Sequence, residues 1–275
     1  MIPAKFAYAR AESVDDAVGL LAEHGDEAKL LAGGHSLLPL MKLRLATPAV
    51  LVDLGSLRDL SYVRDAGDHV AVGGLTRHHD LEHSDLLGEH VPLLREAAGH
   101  VGDPQVRHRG TIGGSLAHGD PASDLPAVVL ALGGTLVARG PGGERTIAAA
   151  DFFEGFLETA LAPDEVLTEV RVRKTNGAGW AFEKFNRRAQ DWAIVGVAAV
   201  TGDDPGVALV NMDSTPVRAS AVEQRLAGGA SATDAAQAAD EGTDPPSDLN
   251  ASPEFRRHLA RVLTRRALER AGVQL

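Results

Sequence analysis

Apolar residues recur along the chain in two periods, and the switching between them marks out short strands and amphipathic helices. Residues 6–10 and 29–32 are brief apolar runs of strand length, and 49–54 is a longer one of the kind that is buried on both faces. Between the first two runs, Val14, Ala17, Val18 and Leu21 follow helical spacing, with Ser13 as N-cap and Gly25 as the stop, so 14–24 reads as a helix. Residues 37–43 predict a second short helix, because Pro39 is tolerated in a first turn. This β-α-β-(α)-β order makes residues 1–55 a small α/β unit.

A second unit, 56–176, opens with a hairpin of 60–64 against 69–73 around the polar turn 65–68. Thr76 is expected to cap a helix reaching about Leu87, with further helices over 91–98 and 125–132. Strands 134–139 and 144–147 pair across Gly-Pro-Gly-Gly, a strong turn signal. A short aromatic segment starts at 150–153, and 165–173 alternates as a strand. The Gly-rich stretch 175–179 marks a boundary. Beyond it, in 177–275, strands are expected over 180–185, 193–201 and 207–212 and a helix over 217–226. Residues 228–248, rich in Ala, Gly, Asp and Pro, read as an exposed stretch with at most a weak helix. The chain closes on a helix, 254–270, carrying Arg256, Arg257, Arg261, Arg265, Arg266 and Arg270. There is no internal repeat.

Composition narrows the function. With 44% hydrophobic and 24% charged residues over 275 positions, the chain has the make-up of a soluble globular protein with a sizeable core. A net charge of −11 argues against a general nucleic-acid surface. No stretch approaches the roughly 20 apolar residues of a membrane span, and the first residues lack an apolar signal core, so the expectation is cytoplasmic. Cysteine is absent, which rules out disulfides, Cys-ligated zinc and Cys-held iron–sulfur clusters within this chain.

Candidate chemistry gathers at two glycine pairs. Ala32, Gly33, Gly34, His35, Ser36 and Leu37 follow a strand directly. Thr111, Ile112, Gly113, Gly114 and Ser115 repeat the theme. Glycine permits backbone angles that turn consecutive N–H groups toward an anion, so two such segments suggest one phosphate-bearing ligand held by both. Neither fits the dinucleotide or Walker fingerprints, and Gly-Gly also serves in ordinary turns. His79-Asp80-Leu81-Glu82-His83 matches the zincin-type pattern H-x-x-E-H, for which a zinc hydrolase is one reading and a polar helix face the plainer one. His35-Ser36 half-matches a nucleophile elbow but lacks its second glycine. Asp124 could bind sugar hydroxyls or cap the helix behind it. The basic C-terminal helix is either a solvated face or a surface for an acidic partner, and Trp192 and Phe185 are read as core by default.

Taken together, 32–39 and 111–126 resemble the FAD-binding medium subunit of molybdenum hydroxylases, the group that includes carbon monoxide dehydrogenase and xanthine dehydrogenase. Gly73-Gly74-Leu75-Thr76, 184–188 with Asp191-Trp192-Ala193, 215–219, 246–249 and 256–260 extend the resemblance over essentially the whole chain. It implies an α+β fold: two α/β FAD-binding subdomains, 1–55 and 56–176, and a C-terminal domain, 177–275, of antiparallel sheet and helix. It also implies FAD, with Ala32–Leu37 and Thr111–Ser115 around the pyrophosphate, Asp124 at the polyol or sugar, Leu167 lining the pocket, and Lys184 and Trp192 near the flavin ring. The family pattern has Tyr in place of Trp192, so stacking is kept without a phenol. No residue is nominated as a general acid or base. The implied partners are a molybdopterin-containing large subunit and a small subunit with [2Fe–2S] clusters, in a heterotrimer that dimerises. Electrons from the clusters would leave through FAD to an external acceptor. A self-contained FAD reductase or oxidase, such as a peptidoglycan-precursor reductase, is the alternative, which 111–126 and the C-terminal half disfavour.

Overall fold

The computed structural model describes residues 2–274. Strand β1 (Ala7–Arg10), helix α1 (Val14–His24), β2 (Ala28–Leu31), α2 (Leu37–Leu43) and β3 (Val50–Asp53) build a parallel three-stranded sheet in the order β1-β3-β2. Ser13 caps α1 by accepting from the Asp16 N–H at 3.0 Å, and Gly25 ends it. The apolar stripe Ala17, Val18 and Leu21 packs on this sheet.

The chain then runs through β4 (Val63–Asp65), β5 (His69–Gly73), α3 (His78–Glu82), α4 (Asp85–His90), α5 (Pro92–Gly99), α6 (Pro104–Arg107), α7 (Ile112–His118) and α8 (Asp124–Ala131). It continues with β6 (Thr135–Gly140), β7 (Gly143–Ala148), the small hairpin β8 (Phe153–Gly155) and β9 (Glu158–Thr159), and β10 (Val166–Arg173). The larger strands make an antiparallel five-stranded sheet, β4-β5-β10-β6-β7. A third sheet, β11 (Trp180–Phe185), β12 (Val195–Val200), β13 (Gly206–Val210) and β14 (Val217–Arg218), is antiparallel and precedes α9 (Ser220–Ala227), α10 (Ala232–Ala236) and α11 (Pro253–Arg270). The result is the α+β architecture expected above.

Helix α8 explains how the second and third sheets join. Every residue from Asp124 to Ala131 is buried, and the helix packs on β12 and β13 as well as on α5 and α7. A helix apolar on all sides must be covered on all sides, and each fully buried Val or Leu there contributes about 1.5–3 kcal/mol. On the far side of the third sheet lies α11, against β11 and β12. No described helix is long and apolar enough to cross a membrane.

Several expectations need correction. The helix begun at Thr76 is two helices, broken where Ser84 caps α4 through the Leu87 N–H at 3.2 Å. Thr76 caps neither: its hydroxyl accepts from the Tyr62 N–H at 3.0 Å and donates to the Tyr62 carbonyl at 2.9 Å. Val217–Arg218 is strand, so α9 starts only at Ser220. The stretch 228–248 is not simply exposed, because Ala232, Ala235, Ala236, Ala238 and Ala239 are buried. Alanine packs there closely, which its weak hydrophobicity hid. The arginines of α11 are largely answered within the chain. Arg256 is fully buried with Asp248 at 2.9 Å, Arg261 meets Asp240 at 2.6 Å and Arg270 meets Glu183 at 2.6 Å. Trp192, read as core, is 57% exposed.

Candidate functional site

Strand β2 ends at a sharp bend that only glycine accepts: Gly34 has φ +76°, where a Cβ would be strained. Its carbonyl takes the Leu38 N–H at 3.0 Å and so starts α2. From Ala32 to Leu37, however, no backbone N–H donates to any acceptor among the described residues. Buried backbone donors are normally paired. These belong to half-buried or exposed residues, so solvent or a ligand can supply their acceptors. Ser36 adds a hydroxyl that makes no capping bond. Gly33 lies flat against the second segment: a Cβ on it would stand 2.1 Å from the Arg109 carbonyl oxygen.

The second glycine pair is not a loop. Thr111 is the N-cap of α7, and its hydroxyl accepts from the Gly114 N–H at 3.2 Å. Gly113 occupies the first helical turn because the chain at Gly74 runs immediately behind it; a Cβ would meet the Gly74 carbonyl oxygen at 2.5 Å. Gly74 is in turn pressed on Leu167, whose carbonyl oxygen is 2.3 Å from the Cβ position. The close approach is made by a bulge in β10, where the register shifts between Leu167 and Glu169 and the Thr168 carbonyl accepts from Gly74 N–H at 2.7 Å. Gly110 rests on the ring of His78. Burial holds His78 down at a pKa of about 4, with His35 and Arg107 adding repulsion, so the ring is neutral; its Nδ1 has no partner.

The outward face of α7 is low and open, with Gly114 and Ala117 exposed and Ser115 and His118 half-buried. Half-burial lowers the pKa of His118, against the pull of Asp120. Beyond the end of α7, Asp120, Pro121 and Ala122 border a cleft of about 780 Å³ together with Trp192, Phe156 and Arg187. Trp192 therefore lines a space that begins just past α7, a helix about 10 Å long whose N-cap is Thr111.

Asp124 and Lys184 meet directly, Oδ2 to Nζ at 2.7 Å, with side chains 6% and 3% exposed. Lys184 also donates to the His100 carbonyl at 3.0 Å and thereby ties β11 to α5 and α8. Ser123, not Asp124, is the residue before the helix, so the capping alternative is replaced by an ion pair. Burial pushes the Asp124 carboxyl above the usual range, and Lys184 pulls the other way. Its Oδ1 is buried without a partner.

The structure thus brings Gly33, Gly113 and Leu167 into one contiguous patch, with Asp124 and Lys184 paired and Trp192 bordering the cleft past α7. Gly74, Gly110, His78 and Ala117 belong to the patch but were not singled out for it. Gly73-Gly74 after a strand was the available signal; His78 and Ala117 carry none that a single sequence exposes. His79 lies on α3 and His83 is the residue that ends it.

Two family models match the chain: an FAD binding domain in molybdopterin dehydrogenase over residues 4–174, and a CO dehydrogenase flavoprotein C-terminal domain over 180–271. The carbon monoxide dehydrogenase medium chain of Hydrogenophaga pseudoflava is 42% identical over 98% of each chain. Subunit alpha of the 6-hydroxypseudooxynicotine dehydrogenase complex of Paenarthrobacter nicotinovorans is 38% identical over 98% of this chain and 96% of that one. The solved carbon monoxide dehydrogenase from Hydrogenophaga pseudoflava that lacks the Mo-pyranopterin moiety superimposes with a TM-score of 0.96 at 42% identity, covering 98% of both chains.

Proposed function

The chain belongs to the family of FAD-binding medium subunits of molybdenum hydroxylases, and from that premise we propose that it is the electron outlet of a three-part complex. Electrons released at a molybdopterin-containing large subunit reach [2Fe–2S] clusters on a small subunit, pass to this chain and leave to an external acceptor. FAD supplies, when bound, the conversion between one-electron delivery and two-electron discharge. Since the chain has no cysteine, Cys-held clusters must sit on a partner.

The observation that carries this reading is the run of backbone N–H groups from Ala32 to Leu37 that the protein leaves without acceptors. A diphosphate offers many acceptor oxygens, and aligned amides of this kind suit it. The remaining residues take up positions in the same reading. Gly33 and Gly113 let the backbone segments close on one another, and Leu167 walls the patch from behind. Gly114 and Ala117 leave the face of α7 clear for the cofactor to lie along it. Trp192 supplies a stacking surface at the cleft. The Asp124–Lys184 pair sets α8 against β11 and leaves one carboxylate oxygen for the polyol or sugar. The three sheets then stand for units 1–55, 56–176 and 177–275.

The relatives serve complexes named for different substrates, so the choice of substrate is assigned to the large subunit. The test is direct. Flavin-free protein titrated with FAD should quench flavin fluorescence with saturation near one equivalent, and FMN, which lacks the diphosphate bridge, should bind far more weakly. Equal binding of FMN and FAD would defeat the diphosphate assignment.

A further inference from the structure

Apart from the flavin site, one cluster of side chains has the composition of a ligand set. His79 lies on α3 and His83 just past its end, one turn on, with ring centroids 4.3 Å apart. His83 Nδ1 is 2.8 Å from the His79 carbonyl oxygen. A carbonyl only accepts, so in the neutral ring Nδ1 carries the proton and Nε2 keeps its lone pair. His108 stacks on His79, centroids 4.1 Å apart and planes within 20°, and is itself anchored by Nδ1 to the Pro104 carbonyl at 2.6 Å. Glu82 sits between the two histidines, one oxygen held by Arg107 Nε at 2.8 Å. One nitrogen from each of His79 and His83 and one Glu82 oxygen lie within 4.8 Å of one another.

We propose that His79, Glu82 and His83 bind a divalent transition-metal ion of the zinc class, with His108 as the stacking support that orients His79. Two imidazoles and a carboxylate suit zinc and leave a fourth position for water. Donors sharing one such ion stand roughly 3.3 Å apart, and rotation of the exposed His83 ring supplies the difference. The carbonyl bond to His83 is the outer support that metal-binding imidazoles use to hold their tautomer, and the one to His108 fixes the ring that stacks on His79. Arg107 is the opposing charge. It restricts Glu82 to its other oxygen, so the imidazoles carry most of the affinity. Glu82 is ion-paired rather than free to act as a base, so the ion is assigned no hydrolytic role. Its three ligands lie on α3 and at its end, and the His108 stack and the Arg107–Glu82 pair connect them to the segment that runs into Gly110 and Thr111.

Untagged protein, stripped with a chelator and titrated with zinc chloride, should take up one saturable equivalent. The His79→Ala/His83→Ala double variant should lose it, and His83→Gln should weaken it by on the order of tenfold or more, the loss that removing even an outer support brings. His108→Ala should weaken it less. Cobalt(II) in place of zinc should give the visible bands of a nitrogen- and oxygen-ligated ion, absent from the double variant. Flavin content, equal in all variants, reports that they fold. Zinc uptake by the double variant equal to that of the unaltered protein, or no uptake by either, overturns the proposal.

Discussion

Between Ala32 and Leu37 the backbone N–H groups find no acceptor in the described chain. Between Ile112 and Ser115 each is taken, by the Thr76 carbonyl, the Gly74 carbonyl, the Thr111 hydroxyl and the Thr111 carbonyl in turn. The two segments look alike in sequence, a glycine pair with a hydroxyl residue close by, yet one leaves its donors without partners in the described chain and the other is sewn into its surroundings. The glycines differ in the same way. Gly33 and Gly113 are small because another backbone lies against them, while Gly114 has open space around it apart from its own cap, Thr111 Oγ1, 2.9 Å from a Cβ. A glycine pair thus marks close approach without saying whether the visitor is the chain itself or a ligand. The first segment is suited to supply donors, the second to supply a rigid floor.

If the floor owes its rigidity to what lies beneath α8, breaking the Asp124–Lys184 pair should have the largest effect. Lys184→Met leaves a carboxylate buried without its partner, a loss of about 3–5 kcal/mol. Burial already raises the Asp124 pKa, and without Lys184 nothing but His100 opposes that rise. A carboxyl raised in the folded state binds more protons there than in the unfolded chain. Its favourable contribution is complete below the unfolded pKa and is lost as pH climbs through the folded one. The variant should therefore be further below the unaltered protein near pH 8 than near pH 5 in urea unfolding. A pH-independent deficit would mean that the pair is not what holds the floor.

Next come the two glycines that meet backbone. Gly33→Ala would drive a methyl group into the Arg109 carbonyl and Gly113→Ala one into the Gly74 carbonyl. Neither neighbour is a flexible side-chain end, so each should cost about 1–3 kcal/mol in the flavin-free protein and show as a lowered unfolding midpoint. A Gly33→Ala protein as stable as the unaltered one would show that the two segments are not in contact, and the contrast between them would lose its basis.

Much of this was legible from residues alone. Ser13, Gly25 and the spacing of Val14, Ala17, Val18 and Leu21 specify α1 fully, because caps and periodicity are local. The Gly-Pro-Gly-Gly turn between β6 and β7 is equally local. What was not legible depends on distant neighbours. Thr76 looks like a cap but is claimed by Tyr62, from another strand's end. Thr111 looks like part of a loop but caps a helix, since Gly113 and Gly114 lower helix propensity without forbidding it. Gly113 is interpretable only once Gly74 is known to lie behind it. The same holds for Asp124, whose partner is 60 residues away.

The smaller effects separate floor from ligand most cleanly. Thr111→Val keeps the shape of the side chain and removes the capping acceptor, so about 1 kcal/mol of stability should go, with flavin retention following only in proportion. Gly114→Ala should do the reverse. Alanine is favoured over glycine in a helix by about 0.8–1 kcal/mol, which offsets the small shift asked of the Thr111 hydroxyl, so the flavin-free protein should unfold at nearly the same midpoint. The new methyl group, however, projects from the open face of α7, where nothing but the Thr111 hydroxyl stands within 4 Å. If the cofactor lies along that face, its dissociation constant should rise by at least about tenfold, equal to 1.4 kcal/mol, measured by fluorescence quenching with FAD. Undiminished affinity would mean that the ligand does not pass over Gly114. The open face of α7 would then be surface, and the donors of 32–37 would have to hold the diphosphate from one side only.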